Sequence, residues 1–396
     1  MTALLLVIIY LAFVSLGLPD GLLGSAWPTM HASLGAAVSA AGTISLVICL
    51  GTIVSSLMTD RLVRRLGAGG LTACSVGLTA IALFGFSASR SFWQLVLWAV
   101  PYGLGAGAVD ASLNAYVATH FAPRHMNWLH SCWGIGAAVG PMVMSWQMAT
   151  PAGWQGGYRV VGLIQVALTA AILVSLPLWH ERRGTHTDES HAEAGGEGHP
   201  SKLQLAQRPG VIQAMLGFLC YCSIESTCGL WSSTFLVMGH GVPTQTAALL
   251  VSLFYGGITV GRLLSGVLTL RLDGQQLLRV GEATMALGIA VLLLGRSTAV
   301  LGAGLTLLGL GCAPIYPQMI QLTPSRFGSQ SAQSLMGLQM ACAYVGSMVA
   351  PPLMGAIIEH VSPLLMPIVE AVLLALMTAL ITACDRRVSQ ASARRA

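Results

Sequence analysis

The stretch Pro363-Leu-Leu-Met-Pro-Ile-Val-Glu370-Ala-Val-Leu-Leu-Ala-Leu-Met-Thr-Ala-Leu-Ile-Thr-Ala-Cys384 carries one charge and ends just before Arg386 and Arg387. A helix crosses the hydrocarbon core of a bilayer in about 20 apolar residues, so this run is long enough to span it. Glu370 lies near one end, where a peripheral helix often carries a carboxylate at the interface. Eleven further runs of the same kind precede it. The twelve expected spans are 3–25, 37–58, 70–88, 92–117, 128–149, 158–178, 210–237, 244–268, 276–295, 298–321, 330–357 and 363–384. The fold class is therefore an all-α membrane protein of about twelve transmembrane helices.

Composition agrees. Of 396 residues 55% are hydrophobic and 8% charged, against roughly 25% charged in a soluble domain. The net charge of +5 is spread over short turns rather than gathered in a patch, which excludes nucleic acid as a partner. The nine Cys are scattered, mostly inside apolar segments, with no C-x-x-C pair, so no disulfide framework or metal site is indicated. His180, His186, His191 and His199 have no spacing that makes a tight metal site. No Lys or Arg occurs before Arg61, so the first apolar run reads as a retained span and not a signal peptide.

The one long polar interruption divides the chain into an N-terminal six-helix bundle (1–179), a linker (180–209) and a C-terminal six-helix bundle with a short tail (210–396). Basic residues set the orientation. With the N-terminus inside, 15 of the 19 Lys and Arg fall in inner loops and the tail, and only Arg90, Arg159 and Arg296 lie outside. Both termini are then cytoplasmic, and scarce Lys with abundant Ala, Gly and Arg suggests a bacterial inner membrane. The halves echo one another. Gly103-Leu-Gly105 recurs as Gly309-Leu-Gly311, an offset of 206, and Gly136-x-x-x-Gly140-Pro141 recurs as Gly346-x-x-x-Ala350-Pro351, an offset of 210. Two parallel repeats around a central cavity are the plan of a secondary transporter.

Charges inside a membrane are costly and mark functional candidates. Asp110 belongs to Gly103-x-x-x-Gly107-x-x-Asp110-x-x-x-Asn114, whose steps of four, three and four place it with Asn114 on one helical face. The bland alternative is a structural carboxylate satisfied by neighbouring helices. Asp20 follows Pro19 among Gly17, Gly21 and Gly24, where the first span should bend. On the boundaries above it stands toward the outer half, so an interfacial, solvated Asp is the competing reading. Glu225 and Arg262 are the counterparts in the second half, as ligands of solute or as a structural ion pair. Glu282 is expected near the inner end of its span, in solvent. His130, Trp133, Trp231, Tyr255, Tyr316 and Gln339 complete a possible solute pocket, although any one aromatic in a span more often faces lipid.

The segment Ser56-Leu-Met-Thr-Asp60-Arg61-Leu-Val-Arg64-Arg65 resembles the major facilitator signature G-x-L-a-D-R-x-G-R-R, with Ser56 and Val63 in place of its two glycines. The resemblance implies that Asp60, Arg61, Arg64 and Arg65 control the interconversion of states and do not touch solute. Gly105-Ala-Gly-Ala-Val-Asp110-Ala-Ser-Leu-Asn114, Leu18-Pro-Asp20-Gly and Leu129-His130 leading to Gly140-Pro141 look most like the fucose permease-like group of proton symporters. That likeness implies proton coupling or sugar binding at Asp20 and Asp110, with Asp in place of the Glu that some members carry in span 4. The Gly-Pro pattern of span 5 also resembles an antiporter signature, which leaves direction open. The expectation is a transporter, not an enzyme and without cofactor, that moves a small neutral solute, such as a sugar, with protons. Export of a drug or metabolite is the alternative, and a membrane enzyme or sensor a remote one. The sequence leaves oligomeric state open, a monomer being compatible with it.

Overall fold

The computed structural model describes residues 2–121, 124–179, 205 and 207–393. The expected linker, with its four histidines, lies almost wholly outside the described residues. The helices are α1 (Thr2–Gly17), α2 (Leu22–Ser33), α3 (Ala40–Ala88), α4 (Phe92–His120), α5 (Arg124–Met148), α6 (Gly153–Ser175), α7 (Val211–Thr234), α8 (Thr244–Leu268), α9 (Gly274–Leu294), α10 (Thr298–Gln321), the short α11 (Thr323–Phe327), α12 (Ser329–His360) and α13 (Met366–Ala393). No strand occurs among the described residues. Among the described residues ten segments are long and apolar enough to cross a membrane, the first of them Leu4–Ser33. Dividing α3 at its kink and adding the more polar α5 gives twelve crossings, an even number, so Thr2 and Ala393 lie at the same end of the bundle.

The first span runs to Ser33, eight residues beyond the expected boundary, and this moves Asp20 to its middle. The polar residues Ser25, Thr29 and His31 and the internal Pro28 hide the continuation in the sequence. The span is broken where Pro19 predicts it. Pro19 has no N–H and its ring disfavours the helical conformation of Leu18, so α1 stops at Gly17 and the chain turns through an Asp20 N–H to Gly17 carbonyl bond of 3.1 Å.

The segment Ser56–Arg65 is helix rather than loop. α3 continues for 49 residues through the expected turn and is interrupted only at Gly67, whose φ of 70° and ψ of 164° suit glycine alone. Asp60, Arg61, Arg64 and Arg65 thus lie within α3, in the last turns before its kink at Gly67, all exposed.

The repeated glycines have matching roles. A Cβ on Gly103 of α4 would fall onto the Ile48 carbonyl oxygen of α3, and one on Gly309 of α10 onto the Phe254 carbonyl oxygen of α8. Ile48 and Phe254 are themselves 206 residues apart. Gly105 meets Ser75 and Thr79, and Gly311 meets Gly281 and Met285, again at an offset of 206. Gly136 closes onto Val14 and Gly346 onto Leu219, repeating the α1–α5 contact as α7–α12. Small residues let helix backbones touch where lipid provides no hydrophobic drive. The two six-helix bundles are built on one pattern of close contacts.

Two carboxylates expected at the surface are not there. Glu282 is 6% exposed and pairs with Arg279 at 2.8 Å. Glu370 is fully buried.

Candidate functional site

The break after α1 presents Asp20 to a cavity of about 450 Å³ between the bundles. Asp110 of α4 and Glu225 of α7 line the same cavity, as do Trp133 of α5, Tyr255 of α8 and Tyr316 of α10. Among the described residues no Lys or Arg lines it. Of the sequence candidates, the structure thus brings together Asp20, Asp110, Trp133, Glu225, Tyr255 and Tyr316.

Asp20 is held from two sides. The Trp133 indole N–H donates to Oδ2 at 2.7 Å, and the Tyr102 hydroxyl to Oδ1 at 3.4 Å. Asp110 Oδ1 accepts from Asn114 Nδ2 at 2.9 Å, the one-turn contact that their spacing predicts. Asn114 stands behind Asp110 rather than in the lining, and its own Oδ1 has no partner. The Arg262 guanidinium of α8 sits 5.0 Å from the centroid of the Trp133 ring, a cation–π contact. Arg262, Trp133 and Asp20 therefore form a chain from one bundle to the carboxylate of the other.

The remaining candidates are elsewhere. The Trp231 indole donates to the Pro351 carbonyl at 2.8 Å in the fully buried core. Gln339 Oε1 accepts from the Thr323 hydroxyl at 2.9 Å and its amide donates toward the Met319 carbonyl at 3.4 Å, also buried. His130 is exposed and meets Phe13 edge-on at 5.9 Å. Tyr344, another span tyrosine that the sequence offers for a pocket, lines the cavity as well, and Tyr102, Tyr158, Phe86 and Ser226 join without having been expected there. Tyr158 also keeps a buried hydroxyl without a partner. Tyr102 had a signal, since it stands two turns before Asp110 on the glycine-rich stretch of α4; Tyr158 had none that separates it from lipid-facing aromatics.

The cavity is shut at the end away from the termini. There the Ser39 N–H donates to Glu359 Oε2 at 2.9 Å and the Ser145 hydroxyl to the Gln245 carbonyl at 2.7 Å. The Gln245 amide reaches the Met148 carbonyl at 3.3 Å, and the Ser233 hydroxyl donates to the Ser25 carbonyl at 3.2 Å. Each bond joins one bundle to the other.

Broken and kinked helices around a polar cavity between two repeated bundles define a membrane transporter. The family description Major Facilitator Superfamily matches residues 9–332 and again 240–395, so the chain belongs to that superfamily. Among solved structures, the nucleoside transporter NupG is 14% identical with a TM-score of 0.75, covering 96% of this chain and 98% of that one. A bacterial homologue of the human lysosomal transporter Spinster, in an inward-facing and occupied conformation, is 12% identical with a TM-score of 0.67, covering 98% and 95%. These likenesses concern the fold. "Bypass of stop codon protein 6" of Saccharomyces cerevisiae (strain ATCC 204508 / S288c) is 24% identical over 281 residues, 65% of this chain and 56% of the yeast protein. The matched region thus spans little more than half the length of that relative.

Proposed function

We propose that the chain takes up a small neutral solute, such as a sugar, together with protons by alternating access. The observation that carries this reading is the placing of Asp20 and Asp110 in one cavity with Trp133, Tyr255 and Tyr316. Carboxylates accept bonds from hydroxyl groups, and the rings offer flat apolar faces to a sugar or a nucleobase. A carboxylate that faces a cavity without a neighbouring Lys or Arg is a group that can carry a proton across a membrane. Asp110 loads a proton from the far side, the solute binds, and the bundles rock so that both leave at the other side. Glu225 would hold the solute from the second bundle, and Arg262 acts on the site through Trp133.

The superfamily resemblance supports a gating role for Asp60, Arg61, Arg64 and Arg65, and the span motifs support a place near the fucose permease-like group. The division at 180–209 is supported by the repeated contacts on either side of it. The distribution of Arg favours cytoplasmic termini, and scarce Lys with abundant Ala, Gly and Arg a bacterial inner membrane, so that the sealed end is the outer one.

A second reading, export of a drug or metabolite in exchange for protons, is favoured by one observation. Three carboxylates and no Lys or Arg line the cavity, which suits a cationic solute. Liposomes separate the two. Purified protein under an inward proton gradient is offered monosaccharides, nucleosides and organic cations, with Asp110→Asn alongside. Gradient-driven accumulation of a neutral solute that collapses in Asp110→Asn, with solute exchange retained, supports the symporter. Proton-driven expulsion of cations overturns it in favour of the exporter.

A further inference from the structure

Glu370 of α13 has no part in the cavity, yet it is the most completely enclosed carboxyl among the described residues. It is 0% exposed, and only the Cys228 thiol, a weak donor, stands close enough to bond its carboxyl group. The ionisable groups that face it are two thiols, Cys228 of α7 and Cys312 of α10, both fully buried themselves. The other elements packed on α13 hold their charges at its opposite end. Arg279 of α9 meets α13 at Thr382, its partner Glu282 meets it at Thr378, and Arg326 of α11 meets it at Asp385. Thr382 is twelve residues from Glu370, about 18 Å along a helix. The turn Pro363–Leu365 brings no charge. An ionised carboxylate in such a pocket would have no cation and no donor stronger than a thiol, an arrangement that proteins avoid by protonating the acid.

The position of the pocket gives this acid a route to water. Cys228, which walls it, is one turn from Glu225 in the cavity. It also adjoins Gly229 and Leu230, whose carbonyls a Cβ on Gly24 would strike, and Ser233, which bonds to Ser25. α7 is thus at once a wall of the cavity, half of the seal away from the termini and a wall of the Glu370 pocket. Alternating access requires that seal to part, and α7 cannot leave α2 without disturbing the side of α7 one turn from Glu370.

We propose that Glu370 is a second proton-binding site, outside the cavity, loaded while the end away from the termini is sealed and opened to exchange when that end parts. The proposal depends on alternating access but not on the solute or the direction of transport, and its test needs neither.

Infrared spectroscopy of the purified protein in lipid bilayers reads the C=O stretch of a protonated carboxyl directly. At neutral pH the wild type should show such a band, and Glu370→Gln, with unchanged thermal unfolding, should lose the component due to Glu370 while any signal from Asp20 and Asp110 remains. Glu370→Asp should shift the band, which assigns it even if the Gln variant folds poorly. Transfer to D2O should move the wild-type band as the acid exchanges. Cross-linking cysteines introduced by Ser145→Cys and Gln245→Cys, across the seal, should slow that exchange at least tenfold. A band untouched by either Glu370 variant, or no band at all, overturns the proposal. So does exchange at equal speed with and without the cross-link, which would leave Glu370 a structural acid. If the transport reading fails while the band behaves as stated, the proton site stands on its own.

Discussion

Trp133 is the residue on which the two bundles meet at the site. Its N–H holds Asp20 at 2.7 Å while its ring lies under Arg262. Trp133→Phe keeps a ring for the guanidinium and removes the donor. A hydrogen bond to a charged group is worth about 1.5–3 kcal/mol, so proton-driven uptake should fall by roughly ten- to a hundredfold. Counterflow exchange of solute should fall much less, because it needs no change in the charge of Asp20. Equal losses in both assays would mean that Trp133 contacts solute and does not position the carboxylate. At this scale the sequence was legible where charge and spacing coincide. Asp110 and Asn114, four apart on one helix, make the bond their register requires. It was illegible where an aromatic has two plausible homes: Trp231 and Tyr255 look alike in the sequence, but one bonds a main-chain carbonyl in the core and the other faces the cavity. Their difference is set by which helix lies opposite, and no local pattern records that.

Helices were legible in their number and less so in their ends. The apolar runs give twelve crossings, but polar residues do not stop a helix whose backbone bonds are already made. Hence α3 runs on through Asp60–Arg65 and α2 through His31 to Ser33. Breaks were legible where a backbone constraint forces them, at Pro19. The close approaches marked by Gly-x-Gly carry a prediction. Gly309→Leu places a branched side chain against the Phe254 carbonyl and the Ile258 N–H, and overpacking of this kind costs about 1–3 kcal/mol or more. The variant should unfold in detergent at a clearly lower temperature than wild type. Gly266→Ala, on α8 with nothing within 4 Å of the new Cβ, is the control. It should match or slightly exceed wild type, since Ala is the better helix former by about 1 kcal/mol. Equal midpoints for both variants would mean that α8 and α10 are not held by this contact.

For the whole molecule the sequence predicts two bundles but says nothing of which end is closed, because that depends on contacts between residues 97 or more apart. The four bonds of the seal all join a side chain to main chain, and several are partly exposed. Each such bond contributes about 0.5–1.5 kcal/mol net. Removing three side chains, by Ser145→Ala, Ser233→Ala and Gln245→Ala together, should weaken the seal by roughly 1.5–4.5 kcal/mol if they act independently. Every 1.4 kcal/mol changes the balance of sealed and parted states about tenfold. A cysteine introduced by Leu230→Cys reports the balance, because Leu230 lines the cavity and is 8% exposed beside the seal. A membrane-impermeant maleimide applied from the side away from the termini should label it at least tenfold faster in the triple variant than in the intact background. An unchanged rate would show that the seal is held by close packing of α2 on α7 and of Gly42 on Pro352, so that its opening is governed by shape and not by these hydrogen bonds.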